Sequence, residues 1–375
     1  MNHKQHFPRE LLEAPIAERI RYFDDCTIKH VMLEDISKQM EQALHSHASP
    51  KVILIAGPTG VGKTTLASTI HNRISRQYVD QMNKERDFVP IMMVNAIAPN
   101  GASFNWKDFY IRVLERAAEP LIDRKIVPHQ LSLFPDDRKS SVHERTVGDA
   151  LRRSVEECLR RRRTKYLIID EAHHILMVNN PKRLEFQFEA LKSLAIETKA
   201  TIVLVGTYRL LDIRDQSGQL VRRSEIIHFR RYDQRQKSDQ VGFVQALNTL
   251  AGKLPLDEFP DLQANAEKFY QRTVGCVGIL KEWLARAYAR HLESDNKNFD
   301  WDFIEKFALS VQALETIASE ALLGEEKLRD KPMADLVNLL NFGIPVSASK
   351  PKKGSNTVGK RAPVRDPVGE SYAYS

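Results

Sequence analysis

Five short apolar runs, separated by longer stretches of helical periodicity, organise the first two thirds of the chain. The runs contain few polar residues, as is typical of strands buried on both faces of a parallel sheet. Between them, apolar residues recur at the three- and four-residue spacing of amphipathic helices. The pattern predicts an α/β fold, with a parallel sheet flanked by helices. The predicted strands are residues 51–56, 88–94, 165–169, 201–206 and 225–229.

Helical periodicity also marks both ends of the chain. Residues 8–23 and 31–45 have it before the first strand, and residues 234–291 have it after the last, where it suits a small helical lid. Further helices are expected at 301–323 and 333–342. Beyond them Pro, Gly, Ser and Lys prevail, and the tail is expected to be disordered. The predicted segments are a helical N-terminal part (1–50), the α/β core (51–232), the lid with the following helices (233–325), and a short helix with a basic tail (326–375).

Composition excludes several classes of protein. The sequence has no apolar stretch of about 18 residues and no signal peptide, so we expect a cytoplasmic protein without a membrane partner. Three cysteines lie far apart without a CxxC pair, which argues against a disulfide framework and a zinc knuckle. The net charge is +7, of which residues 345–375 carry +4. Such an excess permits nucleic-acid binding but does not demonstrate it.

A glycine-rich octapeptide, Gly57-Pro58-Thr59-Gly60-Val61-Gly62-Lys63-Thr64, follows the first predicted strand and precedes a predicted helix. In this context the pattern is that of a P-loop for a nucleoside triphosphate. The backbone N–H groups wrap the phosphates, Lys63 reaches the β and γ phosphates, and Thr64 ligates Mg²⁺. The predicted binding residues are Gly57, Pro58, Thr59, Gly60, Val61, Gly62, Lys63, Thr64 and Thr65.

Two carboxylates, Asp170 and Glu171, end the third apolar run. Ligands of open α/β sheets bind at the carboxyl ends of the strands. We expect Asp170 to hold Mg²⁺ and Glu171 to polarise the attacking water. Acidic pairs at strand ends also serve as turn or cap residues, and it is the P-loop that favours the catalytic interpretation.

Other polar residues are candidates for the same site. Thr207 follows the fourth strand and is a candidate sensor of the γ-phosphate, although a threonine there also suits a helix cap. Arg222 or Arg223, before the fifth strand, is a candidate arginine finger for a neighbouring subunit, with ordinary surface ion pairs as the alternative. Lys281, in the lid, is a candidate phosphate contact or a plain surface lysine.

Two histidines, His173 and His174, follow Glu171 closely. The metalloprotease spacing HExxH is absent, and the start of a helix explains both residues as cap or surface groups. The sequence therefore predicts no further metal site at this point.

The order of these motifs resembles that of AAA+ ATPases, from the P-loop through Asp170-Glu171 and Gly206-Thr207 to the lid. More narrowly, the block Leu167-Ile168-Ile169-Asp170-Glu171-Ala172-His173-His174-Ile175-Leu176, with Leu191-Lys192-Ser193-Leu194-Ala195 and Ile202-Val203-Leu204-Val205-Gly206-Thr207, looks like the TniB/TnsC group of transposon ATPases. The resemblance covers roughly residues 30–290. It implies an ATPase that needs Mg²⁺, in which Lys63, Thr64, Asp170 and Glu171 have the roles given above.

The resemblance also implies partners. Members of the group assemble with themselves on double-stranded DNA as rings or filaments and connect a target-selection adaptor, CRISPR-guided in some transposons, to the transposase. Hydrolysis disassembles the filament. DNA contacts are poorly marked by sequence; the candidates, for which a solvated loop is the alternative, are Asn100, Asn105, Lys107, Lys139 and Arg145.

Two other functions remain open at this stage. One is a replication initiator or helicase loader. Against it, the sequence shows no clear winged-helix pattern after the lid. The other is a nucleotide-gated signalling scaffold, against which the intact Glu171 and the absence of a repeat-containing sensor domain both argue.

Overall fold

The computed structural model describes most of the chain, and divides it into two compact units, Met1–Leu328 and Arg329–Ser375. For residues 140–146, 181–183, 213–216 and 342 it describes the backbone alone. The described residues are 6–45, 52–99, 101, 103–120, 122, 140–177, 181–216, 224–294 and 298–342.

Five strands form one sheet in the order β2-β3-β4-β1-β5, and all neighbouring pairs are parallel. This confirms the predicted parallel α/β architecture. β4 lies between β1 and β3, so the segments that follow these three strands meet at one edge of the sheet. The strands are Val52–Ala56 (β1), Ile91–Asn95 (β2), Tyr166–Asp170 (β3), Thr201–Gly206 (β4) and Ser224–His228 (β5).

Helices surround the sheet and extend beyond it at both ends. In the first unit they are Ile16–Asp25 (α1), Val31–His45 (α2), Lys63–Gln77 (α3), Val79–Lys84 (α4), Trp106–Arg116 (α5), Ser140–Arg161 (α6), Pro181–Thr198 (α7), Lys237–Ala251 (α8), Ala266–Gln271 (α9), Val277–Leu292 (α10), Trp301–Glu305 (α11) and Val311–Leu328 (α12). Short 3-10 segments span Arg9–Leu12, Ala172–Leu176, Tyr208–Gln216 and Gln263–Asn265. The second unit contains Met333–Phe342 (α13).

Among the described helices, none has both the length and the apolar character that crossing a bilayer requires.

The two faces of the sheet bury two separate apolar clusters. Side chains of β1 alternate between them: Ile53 and Ile55 belong to one, Val52 and Leu54 to the other. The first cluster continues into the N-terminal helices and the lid, through residues such as Met40 and Trp283. Complete burial of an aliphatic side chain contributes about 1.5–3 kcal/mol. One continuous core therefore fixes the N-terminal helices, sheet and lid in place.

The chain after the lid differs from the sequence prediction of a single helix at 301–323. α11 ends at Glu305, and α12 begins at Val311. The reason is capping: the Asp300 carboxylate accepts the N–H of Phe303 at 3.0 Å, and Ser310 accepts that of Ala313 at 3.3 Å. Two separate helix starts are thus encoded in a stretch whose apolar periodicity is continuous.

Candidate nucleotide-binding site

The phosphate-binding loop connects the end of β1 to the start of α3. Gly60 and Gly62 have φ angles of 76° and 107°, which residues other than glycine rarely adopt. Gly62 is the N-cap residue of α3, which begins at Lys63. The free N–H groups of the first helical turn therefore face the loop, and the two together form an anion-binding concavity.

Lys63 is buried in this loop, with only 7% of its surface exposed. Its ammonium donates to the carbonyl oxygens of Pro58 at 2.8 Å and Gly57 at 3.2 Å. Burial lowers the pKa of Lys63, and the carboxylates of Glu171 and Asp170 oppose this by attraction. The cation is thus held at the loop, within the electrostatic reach of both acidic residues.

The acidic pair lies at the end of β3. Asp170 is 2% exposed, and its carboxylate accepts the backbone N–H of Glu171 at 2.8 Å. Glu171 has a left-handed backbone, with φ 51° and ψ 31°, and a side chain that is 44% exposed. Such a conformation is costly for a residue with a side chain, and it is found in turns as well as at functional sites. At this turn the carboxylate of Asp170 is therefore buried, whereas that of Glu171 is accessible.

Thr207 follows β4 and therefore lies between the segments after β1 and β3. Its hydroxyl oxygen is buried and has no hydrogen-bond partner in the part of the chain that the structure describes. A buried hydroxyl without a partner costs about 1–3 kcal/mol. In the alternative role, as a helix cap, the hydroxyl would accept a backbone N–H, and no such bond is found among the described residues.

The residues present also fit Mg²⁺. Thr64, the second residue of α3, and Asp170 supply a hydroxyl and a carboxylate, and Mg²⁺ prefers oxygen ligands of this kind. One carboxylate oxygen of Asp170 accepts the N–H of Glu171, and the second is free of that bond. A carboxylate that is almost fully buried next to a phosphate-binding loop is an arrangement that a divalent cation stabilises.

His173 and His174 lie closer to Glu171 than their interpretation as cap or surface groups implies. The nitrogen Nδ1 of His173 is 3.2 Å from the Glu171 carboxylate, and the two imidazole ring centres are 4.2 Å apart. Burial, together with the neighbouring His174 and Lys63, lowers the pKa of His173 to about 4. The side chain of His173 is 12% exposed, so it is not a surface group.

The lid touches the loop through the first turn of α10. The backbone N–H of Ile279 donates to the carbonyl oxygen of Gly60 at 3.3 Å. Lys281, two residues later, donates to the carbonyl oxygen of Asp24 in α1 at 2.6 Å. In this arrangement Lys281 connects the lid to the N-terminal helices, and its predicted phosphate contact stays a prediction.

A groove of about 700 Å³ extends from the start of α3 along its exposed face. Thr64 and Thr65 lie at its P-loop end, and Thr27 and Lys29, between α1 and α2, line its other wall. The groove therefore opens from the P-loop along α3. Thr27 and Lys29 belong to no motif, and only their position in the fold shows that they line it.

The loop after β2 provides a second groove, of about 740 Å³. Lys107 and Arg152 line it together with aromatic side chains, including Trp106. Asn105 also lines the groove, but its side chain accepts the N–H of Asp108 and so caps α5. Asn105 and Lys107 are both DNA candidates, and of the two only Asn105 has a capping role among the contacts described.

Several candidates have positions that the structure does not describe. Arg145 lies in the first part of α6, residues 140–146, where the backbone alone is described. The others lie outside the described residues: Asn100, Lys139, Arg222 and Arg223.

Helix α12 returns to the sheet edge and packs on the residue after Thr207. A Cβ atom at Gly324 would lie 2.0 Å from the ring of Tyr208, whose hydroxyl is 2.8 Å from Nε2 of His228.

The residue after Gly324, Glu325, forms two hydrogen bonds with the guanidinium of Arg231, at 2.8 and 3.3 Å. The same guanidinium donates to the carbonyl oxygen of Val274, before the lid helix α10, at 3.4 Å. The sequence offered no motif for this contact.

Comparison with known proteins gives one matching domain model. Residues 33–213 match the family model described as AAA domain. A search of the curated proteins finds no match. Among solved structures, the ORC2 protein of Aeropyrum pernix, in ADPNP and ADP complexes, is similar, with 16% identity and a TM-score of 0.51 over 87% of this chain and 85% of that one.

Two further structures have lower scores. The ORC1 protein of Aeropyrum pernix in complex with DNA has 14% identity and a TM-score of 0.48 over 80% of this chain and 68% of that one. A Walker-type ATPase of Pyrococcus abyssi has 15% identity and a TM-score of 0.43 over 82% and 78%. At 16% identity, the likeness to the ORC2 protein concerns the fold alone. With an AAA domain at residues 33–213 and a five-stranded parallel sheet that carries a P-loop, the chain has the fold of an AAA+ P-loop ATPase.

Proposed function

We propose that this chain hydrolyses ATP with Mg²⁺ at the edge of the sheet, and uses the cycle to assemble on double-stranded DNA as a regulator of transposition. The observation that carries the first part is the juxtaposition of a buried lysine, an acidic pair and an unpartnered buried hydroxyl after three adjacent strands. These are Lys63, Asp170 with Glu171, and Thr207.

Each of these groups has a role set by its surroundings. Lys63 exchanges its carbonyl partners for the β and γ phosphates, which are stronger acceptors. Mg²⁺, held by Asp170 and Thr64, would neutralise charge on the same phosphates. The accessible carboxylate of Glu171 accepts the proton of the attacking water, and the Thr207 hydroxyl orients that water or a γ-phosphate oxygen.

Two substitutions test hydrolysis. Lys63→Ala should abolish ATP binding because it removes the cation of the loop. Glu171→Gln should keep ATP binding and lower the turnover number by about 100-fold or more, as the loss of a general base does. Glu185→Gln, an exposed carboxylate on α7, is the matched control. Normal hydrolysis by Glu171→Gln would show that the proposed water-activating role is wrong.

The transposition role rests on narrower support. The motif block from Leu167 to Thr207 resembles TniB/TnsC ATPases, and the chain is basic, with a net charge of +7. No strand follows β5 in the described residues, which extend to Phe342, so no winged-helix hairpin accompanies the lid within that part. Such ATPases act through self-assembly on DNA, a transposase and a target-selection adaptor.

The likeness of the fold to the ORC2 protein favours a second candidate function, that of a replication initiator or helicase loader. The two functions differ in what is assembled. A transposition regulator should form rings or filaments of its own chain on linear duplex DNA, whereas a loader should act on the ring of another protein.

Electron microscopy of the Glu171→Gln protein with linear duplex DNA separates them. We expect rings or filaments that depend on both DNA and ATP and are lost with ADP. Discrete particles whose formation does not depend on DNA would contradict the transposition role and favour a loader or a signalling ATPase. A second measurement, stimulation of strand transfer by a DDE transposase, tests the partner itself.

A further inference from the structure

Three side chains that can ligate a metal lie together on the turn after β3. One ligand atom from each of Glu171, His173 and His174 lies within 4.8 Å of the others. The turn is a 3-10 segment that begins after the left-handed residue Glu171, and this backbone directs all three side chains to one place.

The distance between the ligand atoms of Glu171 and His173 is that of two ligands of one ion. In a tetrahedral zinc site, with metal–ligand distances of 2.0–2.1 Å, the ligand atoms are about 3.3 Å apart. Oε2 of Glu171 and Nδ1 of His173 are 3.2 Å apart. His174, whose Nδ1 lies 3.5 Å from the sulfur of Met177, offers a ring nitrogen within 4.8 Å of the ligand atoms of the other two.

Nδ1 of His173 is also a buried nitrogen without a hydrogen-bond partner in the described part of the chain. Its distance to Glu171 is within the range of an ion pair, but the angles are not those of a hydrogen bond, so the nitrogen stays without a hydrogen-bond partner among the described residues. An unsatisfied buried nitrogen is costly, and coordination to a cation removes that cost. A plain cap or surface role leaves this nitrogen unexplained.

We propose that Glu171, His173 and His174 bind a divalent transition-metal ion of the Zn²⁺ class, and that this ion inhibits ATP hydrolysis by occupying the Glu171 carboxylate. Two imidazoles and one carboxylate suit Zn²⁺, whereas the oxygen ligands of Asp170 and Thr64 suit Mg²⁺. The inhibition rests on the proposed role of Glu171 in hydrolysis, but the metal binding does not.

Nearby cations set a limit on the affinity. Lys63 and Arg209 are close enough to His173 to act on it electrostatically, and both repel a metal ion. Phosphates bound at Lys63 would offset this repulsion. Zn²⁺ should therefore bind more tightly in the presence of a non-hydrolysable ATP analogue than in its absence.

Metal binding is tested on the full chain after treatment with a chelator. Equilibrium dialysis with Zn²⁺, followed by metal analysis, should give one ion per chain, and a Co²⁺ titration should give the visible absorbance of a four-coordinate site. His173→Ala and His174→Ala should each weaken binding about tenfold or more. His71→Ala and Cys26→Ser, at positions away from this turn, should not. Binding that is absent, or unchanged in His173→Ala, would overturn the site.

The inhibition is tested separately, as the ratio of ATP turnover with and without Zn²⁺ at constant Mg²⁺. The ratio should fall well below one for the wild-type chain and stay near one for His173→Ala. If Zn²⁺ binds at the site and the wild-type ratio stays at one, the inhibitory part is overturned and the metal site stands. A wild-type chain that binds Zn²⁺ but hydrolyses no ATP even without it would count against the proposed function, and not against the site.

Discussion

At the scale of single residues, the most informative atom is the buried hydroxyl oxygen of Thr207. Because it has no partner in the described part of the chain, its removal should not lower the free energy of unfolding. Thr207→Val should reduce the turnover number for ATP about tenfold or more, by loss of a hydrogen bond at the γ-phosphate. ATP affinity, measured by titration calorimetry, should change little.

A matched variant separates this effect from the loss of any buried hydroxyl. Thr198 donates to the carbonyl oxygen of Leu194 at 2.7 Å and is 6% exposed. Thr198→Val should lower the free energy of unfolding by about 1 kcal/mol and leave hydrolysis unaffected. If Thr207→Val were the more destabilised of the two and hydrolysed ATP normally, Thr207 would be a structural residue.

Residue types and spacing show some of this site in advance, but not all of it. The P-loop is recognisable because its glycines, Lys63 and Thr64 form a contiguous pattern whose chemistry is local. Glu171, His173 and His174 have no familiar spacing, and their proximity depends on the left-handed backbone of Glu171, which a side-chain pattern does not encode. Thr27 and Lys29 reach the groove only through the packing of the N-terminal helices.

At the scale of elements, the contact between α12 and the segment after β4 depends on a glycine. An alanine in a helix is normally about 1 kcal/mol more favourable than a glycine. At Gly324 the added Cβ would lie 2.0–2.6 Å from ring atoms of Tyr208, so overpacking dominates. Gly324→Ala should lower the free energy of unfolding by about 1–3 kcal/mol, measured by urea denaturation, and should reduce ATP turnover because Tyr208 follows Thr207.

Two further variants check the cause. Ser319→Ala, at an exposed position of the same helix, should be neutral or slightly stabilising. In a Tyr208→Ala background, Gly324→Ala should cost much less than in the wild type, since the ring that it meets is gone. An equal cost in both backgrounds would show that the helix itself, and not the contact, is disturbed.

Elements were predictable to different degrees. The strands follow from continuous apolar runs, which bury both faces and leave little choice of structure. The break between α11 and α12 does not, since apolar periodicity runs through it and two capping side chains decide the matter. The return of α12 to the sheet is a tertiary event, driven by the fit of Gly324 to Tyr208 and by the Arg231–Glu325 ion pair.

At the scale of the whole molecule, buried histidines should make the fold sensitive to acid. His30, near the start of α2, lies 3.0 Å from the hydroxyl of Tyr232, and burial lowers its pKa from 6.5 to about 4. The folded state therefore holds it neutral where the unfolded chain binds a proton. Stability is fully present above pH 6.5 and is lost as the pH falls towards 4.

At pH 5 this histidine alone should cost about 2 kcal/mol of the free energy of unfolding relative to pH 7. His228, whose pKa burial likewise lowers to about 4, adds to the loss. His30→Gln keeps a polar group for Tyr232 and does not titrate, so its stability should fall less between pH 7 and pH 5. Thermal unfolding at the two pH values measures this, and equal losses in both proteins would exclude His30 as a cause.

The ion pair between Arg231 and Glu325 has a mechanical consequence. It belongs to a continuous series of contacts: from Thr207 to Tyr208, across Gly324 to Glu325, through Arg231 to Val274, and by α10 to Gly60 in the phosphate loop. Such a series limits how far its members can move independently. We therefore expect a displacement of the segment that contains Thr207 to be transmitted to the lid through α12.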